Sequence, residues 1–332
     1  MTVTEHKISR FCNSTAMAIL LTMAAVAMAL MSWKYWQSMP HDRNYSLLLP
    51  SPNLWFTSEP LISFGLSSFL LLASAVLMAV QNRVFNIVHN YSLMFVGMFL
   101  LMSAATPAVA TVFQGGTLLV VAIMLCMILL MSTYRNPKLN RHIYLATLIV
   151  GAGTSVEYGF LMYLPVLIMG MAQMRTLSLK SLVACFIGVL TAGWFIHVLA
   201  GLNGGKFHSP DFVGIFEVMP ENDALCFLIT VAFTLILGLG LGVINFFKIS
   251  SYNAKSRAVN SIISVVMLIT VIMTVLDITN VEFYVLLLNA CTAFQVGHFV
   301  AINEKRRGYI LTIVISLSYI GLWTWQYLLS IA

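Results

Sequence analysis

The chain has 332 residues, 60% of them hydrophobic and only 8% charged, with a net charge of +6. So little charge excludes a water-soluble domain of this length. The basic excess is spread over short loops, with no basic helix or aromatic-interleaved patch, which excludes a nucleic-acid-binding footprint.

Apolar stretches of about 20 residues, the length that crosses a bilayer core, recur from end to end. The first four predicted spans cover 14–33, 61–80, 91–112 and 116–132. The first reads as a retained span rather than a cleavable signal, because it runs into Trp33, Tyr35 and Trp36 instead of small residues. An apolar run over 143–173 follows, and then spans over 181–200, 224–247, 259–276, 282–302 and 309–330.

The run 143–173 decides the topology. As one helix it leaves ten of the 17 basic residues outside and seven inside. As two short helices broken between Gly151 and Glu157, it places fourteen inside and only Lys34, Arg43 and Lys206 outside. The tendency of Lys and Arg to stay cytoplasmic favours the broken hairpin. The expected fold is therefore all-α: one transmembrane domain over 1–332, with about 11 membrane helices. The N-terminus is expected in the cytoplasm and the C-terminus on the periplasmic side of a bacterial inner membrane. Arms this short do not span a core of about 30 Å comfortably, so neighbours must screen the hairpin or it must line an aqueous cavity.

Two long outer loops, 34–60 and 201–223, mix Pro, aromatics and acids, a composition suited to the membrane interface. On this topology only Glu5 and Glu304 of the 11 acidic residues lie inside, so carboxylate chemistry belongs on the outer face. In the first loop Asp42 is placed to act as a general base towards a hydroxyl, while Arg43 with Lys34 is placed to hold a phosphate. The alternative is that Asp42 and Arg43 simply pair. His208 and Asp211 in the second loop are candidates to bind substrate at the same site. Glu157, at the hairpin break, is the second catalytic candidate. An ionisable group at membrane depth is costly unless it meets water or a partner, and Thr154, Ser155 and Tyr158 are the expected partners. Without them its carboxyl is expected to be neutral at pH 7. The alternative places the break at the outer surface with Glu157 solvated.

Five cysteines without a CxxC pair are expected to be free, buried thiols. His197 and His298 read as packing residues, and neither a metal nor a cofactor is expected. No phosphate-binding glycine loop, dinucleotide fingerprint or nucleophile elbow occurs, and no internal repeat supports an inverted-repeat transporter.

Two adjoining segments carry a resemblance. ATLIVGAGTSVEYGFLMYLPVLIMGMAQMR (146–175) resembles the short-helix pair of GT-C glycosyltransferases, and SLKSLVACFIGVLTAGWFIHVLAGLNGG (178–205) is similar to the span that follows it. The paired apolar spans over 84–132 and the basic-bounded C-terminal trio also look like an uncharacterised family of polytopic membrane proteins from Bacteroidetes. The GT-C resemblance implies a transferase taking sugar from a polyprenyl-phosphate carrier at the outer face, with Asp42 matching the acidic base of the first outer loop. The partners implied are membrane lipids and a polyprenyl-phosphate sugar. The rival expectation is a non-catalytic subunit or scaffold docking a membrane protein partner, and the third is a small-solute permease.

Overall fold

A computed structural model of the chain describes residues 10–12, 14–36, 46, 48–88, 93–136, 138–202, 215–249, 251–303 and 306–331. The described residues are helical and contain no strand. In chain order the main helices are α1 (Thr15–Trp36), α2 (Pro60–Phe85), α3 (Met94–Ala104), α4 (Gly115–Ser132) and α5 (Asn140–Gly153). They continue with α6 (Leu164–Gln173), α7 (Leu179–Leu202), α8 (Glu221–Ile249), α9 (Ala254–Leu276), α10 (Val281–Ile302) and α11 (Arg306–Ile331). Among the described residues eight of these helices (all but α3, α5 and α6) are long and apolar enough to cross a membrane, which makes the chain a multi-pass membrane protein.

Local chemistry sets the boundaries. Pro60 opens α2, where its missing N–H costs nothing. Asn253 caps α9 by accepting the Ser256 N–H at 2.9 Å. Asn86 closes α2 in the left-handed conformation at φ 50°. One boundary differs from expectation. The span expected over 91–112 ends as a helix at Ala104, and a separate turn runs from Pro107 to Ala110. Pro107 cannot donate to the preceding turn, so the helix stops before it.

The run 143–173 is two helices. The α5 helix ends at Gly153, and a tight 3-10 turn over Tyr158–Tyr163 leads into α6. Thr154 Oγ1 and Ser155 Oγ donate back to the carbonyls of Gly151 (2.6 Å) and Ala152 (2.7 Å), which satisfies the end of α5 locally. Gly153 lies flat under the Phe160 ring, where a Cβ would collide.

The core is built around α10. Its residues from Phe283 to His298 are all buried, and α3, α4, α8, α9 and α11 pack around it. Along it Asn289, Thr292, Gln295 and His298 recur at every third position, all inside the protein. Asn245 of α8 donates its amide to the Gln295 carbonyl at 2.8 Å and to its side-chain oxygen at 2.9 Å. On the flank, α7 packs on α5 through small residues: Gly188 abuts Thr147, and Gly151 abuts Ala192. Such residues let helix backbones approach closely in a membrane, where lipid offers no hydrophobic drive to association. The other side of α7 exposes Phe186, Trp194 and Phe195, as a lipid-facing surface should.

Helix polarity sorts charge to the two ends. Arg83, Arg135, Arg175 and Lys248 follow or close α2, α4, α6 and α8, and Lys255 and Arg257 open α9, all at one end. There the Arg135 N–H bonds the Met174 carbonyl at 3.0 Å, and Lys248 Nζ donates to Asn303 Oδ1 at 2.9 Å. At the other end the Tyr35 hydroxyl donates to Asp223 Oδ2 at 2.7 Å, fastening the end of α1 to the start of α8.

Candidate functional site

At the acidic end the turn between α5 and α6 sets Glu157 against the starts of α4 and α10. The side chain is only 4% exposed. Its carboxylate lies directly on Gly115, the first residue of α4, where a Cβ would overlap Oε2 and push the carboxylate aside. Phe283, in the first turn of α10, walls the same spot. The connection between α9 and α10 is a single 3-10 turn, Ile278–Asn280, which sets Asp277, Asn280 and Glu282 beside the carboxylate.

The hydrogen bonds around the turn go elsewhere than the sequence suggests. Tyr158 Oη donates to Asp277 Oδ2 at 2.6 Å, and Tyr284 Oη donates to the same oxygen at 3.0 Å. Thr279 Oγ1 donates to Asp277 Oδ1 at 3.1 Å. Thr154 and Ser155 are committed to backbone carbonyls. None of the three expected partners therefore bonds the Glu157 carboxyl. The neighbouring Asn280 amide instead favours its charged form by proximity, although Asn280 Nδ2 makes no hydrogen bond of good geometry. Among the described residues no basic side chain pairs with Glu157. Burial, reinforced by the nearby Glu282 and Asp277 charges, lifts the carboxyl from its ordinary 4.5 to about 8.

Residues 48–51 lie over this turn. The Leu49 N–H donates to the Ser155 carbonyl at 3.1 Å, and Ser46, Leu48 and Ser51 are buried there. Further along, Trp55 (tilted) and Phe56 (edge to face) pack against Phe113 with ring centroids 5.8 and 5.9 Å away. Trp55 Nε1 donates to the Pro50 carbonyl at 2.6 Å, and the Phe113 N–H donates to Ser63 Oγ at 2.9 Å. Residues 48–56 thus sit over the ends of α2, α4 and α5.

No family model, curated protein or solved structure matches this chain.

Of the residues singled out in the sequence, Glu157 has the placement just given. Asp42, Arg43, His208 and Asp211 lie outside the described residues, and Lys34 sits in the last turn of α1. The sequence marks Asp277 and Glu282 only as acids of the outer face, and assigns nothing to Asn280 or Tyr284. Their signal was the close sequence of acids, Asp277 to Glu282, across a junction too short for a loop. Among the described residues no three His, Cys, Asp or Glu converge as metal ligands, and all five cysteines are buried and free.

Chemically, a buried carboxyl titrating near 8 is about nine-tenths protonated at pH 7, yet close enough to neutrality to accept or release a proton at modest cost. Asp277, with two tyrosine hydroxyls and a threonine on its oxygens, holds the turn and the helix ends in register around it.

Proposed function

We propose that this chain is a GT-C-like membrane transferase moving a sugar from a polyprenyl-phosphate carrier to an acceptor at the outer face of a bacterial inner membrane. The observation that carries this reading is the buried Glu157 carboxyl at the acidic end, poised near neutrality in the turn that residues 48–51 lie over. In the reaction a carboxylate takes the proton of the acceptor hydroxyl. The acceptor oxygen bonds to the sugar's anomeric carbon, and the bond from that carbon to phosphate breaks, releasing the polyprenyl phosphate with the bonding electrons. Asp42 is the base the resemblance assigns, and Glu157 is the second proton-holding group. Arg43 and Lys34 would hold the phosphate, and His208 and Asp211 would hold the acceptor.

The topology that goes with this reading has eleven embedded helices, a cytoplasmic N-terminus and a periplasmic C-terminus. It is supported by the segregation of basic residues to one end of the bundle and of Glu157, Asp223, Asp277 and Glu282 to the other. The test is transfer from a panel of synthetic polyprenyl-phosphate sugars by the purified full chain. Asp42→Asn should abolish carrier release and Glu157→Gln should reduce it at least tenfold, while both variants remain folded.

A scaffold reading is favoured by one observation: Asp277 spends both oxygens on Tyr158, Tyr284 and Thr279, which is fastening rather than chemistry. Absence of carrier release from every donor in the panel, with a partner protein co-purifying in the membrane, would decide for the scaffold.

A further inference from the structure

Between α8 and α9 the bundle opens sideways at its basic end. Both helices lie against α10, and a furrow separates them. It contains two cavities of about 450 Å³ and about 440 Å³ that share Phe246, Ser261 and Ser264 and so form one trough. The cavity at the bundle end is bordered by Arg175, Arg257, Gln173 and Asn260. The inner one is walled by Val243, Phe247 and Leu268, with Gly242 leaving room above Gln295. The trough therefore grades from cations and amides at the membrane surface to hydrocarbon within.

Two details mark the polar end as built for a ligand. Asn260 is 3% exposed, and among the described residues neither its side-chain amide nitrogen nor its side-chain oxygen has a hydrogen-bond partner. A buried amide left so calls for a partner from outside. Arg175 occupies the left-handed position that ends α6, at φ 57°, with its N–H on the Ala172 carbonyl and the next N–H, of Thr176, on the Met171 carbonyl. Glycine is the usual residue there, and an arginine held in that conformation at the mouth of a cavity points to a use for its side chain.

We propose that this trough binds one anionic glycerophospholipid from the leaflet at the basic end. Its phosphate sits between Arg175 and Arg257, its glycerol or ester oxygens meet Asn260, and one acyl chain lies along Phe246, Val243 and Leu268. Charge complementarity selects a lipid over a protein segment. The site is at the opposite end from Glu157 and stands whether or not the transferase reading does.

The experiment is native mass spectrometry of the full chain titrated with phosphatidylglycerol and with phosphatidylcholine of identical acyl chains. Wild type should retain phosphatidylglycerol roughly thirtyfold more tightly, since each cation near an anionic headgroup contributes about fivefold. Arg175→Gln with Arg257→Gln should erase that preference. Lys138→Gln with Arg141→Gln, which removes as much charge from the same end but away from the trough, should leave it intact. Gly242→Leu should weaken both lipids by filling the acyl channel. Equal retention of the two lipids by wild type would overturn the proposal, as would equal loss in the two double variants. A dimeric wild type that Gly242→Leu converts to a monomer would assign the trough to a second copy of the chain instead.

Discussion

Replacing Glu157 with Gln keeps the shape of the side chain and removes its titration. In the folded chain the carboxyl sits at about 8 against an ordinary 4.5, so folding favours the protonated form. Between those values the folded state binds more protons than the unfolded state, and stability must fall as pH rises through that window. Below the lower value the group adds no cost. Above the upper one it adds about 5 kcal/mol, the price of ionising a buried carboxyl without a cation. Most of that change, about 4 kcal/mol, accumulates between about pH 5 and pH 9. The Glu157→Gln protein lacks it, so its advantage over wild type should grow from under about 1 kcal/mol at pH 5 to nearly 5 at about pH 9. Thermal unfolding of both proteins in one detergent, followed by tryptophan fluorescence across that range, measures the divergence. Parallel pH curves for the two proteins would refute the reasoning, since they would mean that the carboxyl ionises in the folded state as freely as in water.

Three further outcomes follow from the packing. Tyr284→Phe removes one of the two tyrosine hydroxyls on Asp277 and should lower stability by about 1.5–3 kcal/mol, the range for a hydrogen bond to a charged group, read as a lower unfolding midpoint. Gly188→Val drives two methyls into Thr147 and should cost about 1–3 kcal/mol by prising α7 from α5, visible as faster proteolysis of the connection between α6 and α7. Arg175→Gly relieves the left-handed backbone at the end of α6 and should raise the unfolding midpoint by the equivalent of about 1 kcal/mol in lipid-free detergent. A midpoint unchanged or lowered by that variant would show that the Arg175 side chain stabilises the helix end more than its backbone strains it.

The membrane class of the chain was legible in its sequence because bilayer thickness dictates the length of each apolar run. The interruption between Gly153 and Tyr158 had a local signal, since clustered Gly, Thr and Ser let a helix end bond to itself. The stop at Ala104 was hidden. Thr106 and Pro107 sit in an apolar stretch whose hydropathy continues unbroken, and only the missing proline donor divides it. Glu157 stood out as an acid in the wrong place, but its surroundings were not legible. Tyr158 turns to Asp277 instead, and the residues that enclose Glu157 come from the starts of α4 and α10, which only tertiary packing brings together. The trough between α8 and α9 left no mark either, because a gap between two helices is a property of their angle and not of any residue.

The position of α10 in the chain has its own consequence. The helix that its inner neighbours pack against, α10, is the last but one of the main helices described to leave the ribosome, and it carries Asn289, Thr292, Gln295 and His298 on its way into the bilayer. Until it arrives, α3, α4, α8 and α9 have inserted around an axis that is not yet filled, with their inward surfaces facing lipid or one another. The earlier helices form a mould, and α10 is the casting whose polar groups are tolerable only once the mould closes on them. A nascent chain stalled before residue 281 is thus an assembly without a centre, and membrane quality control would meet it at that stage.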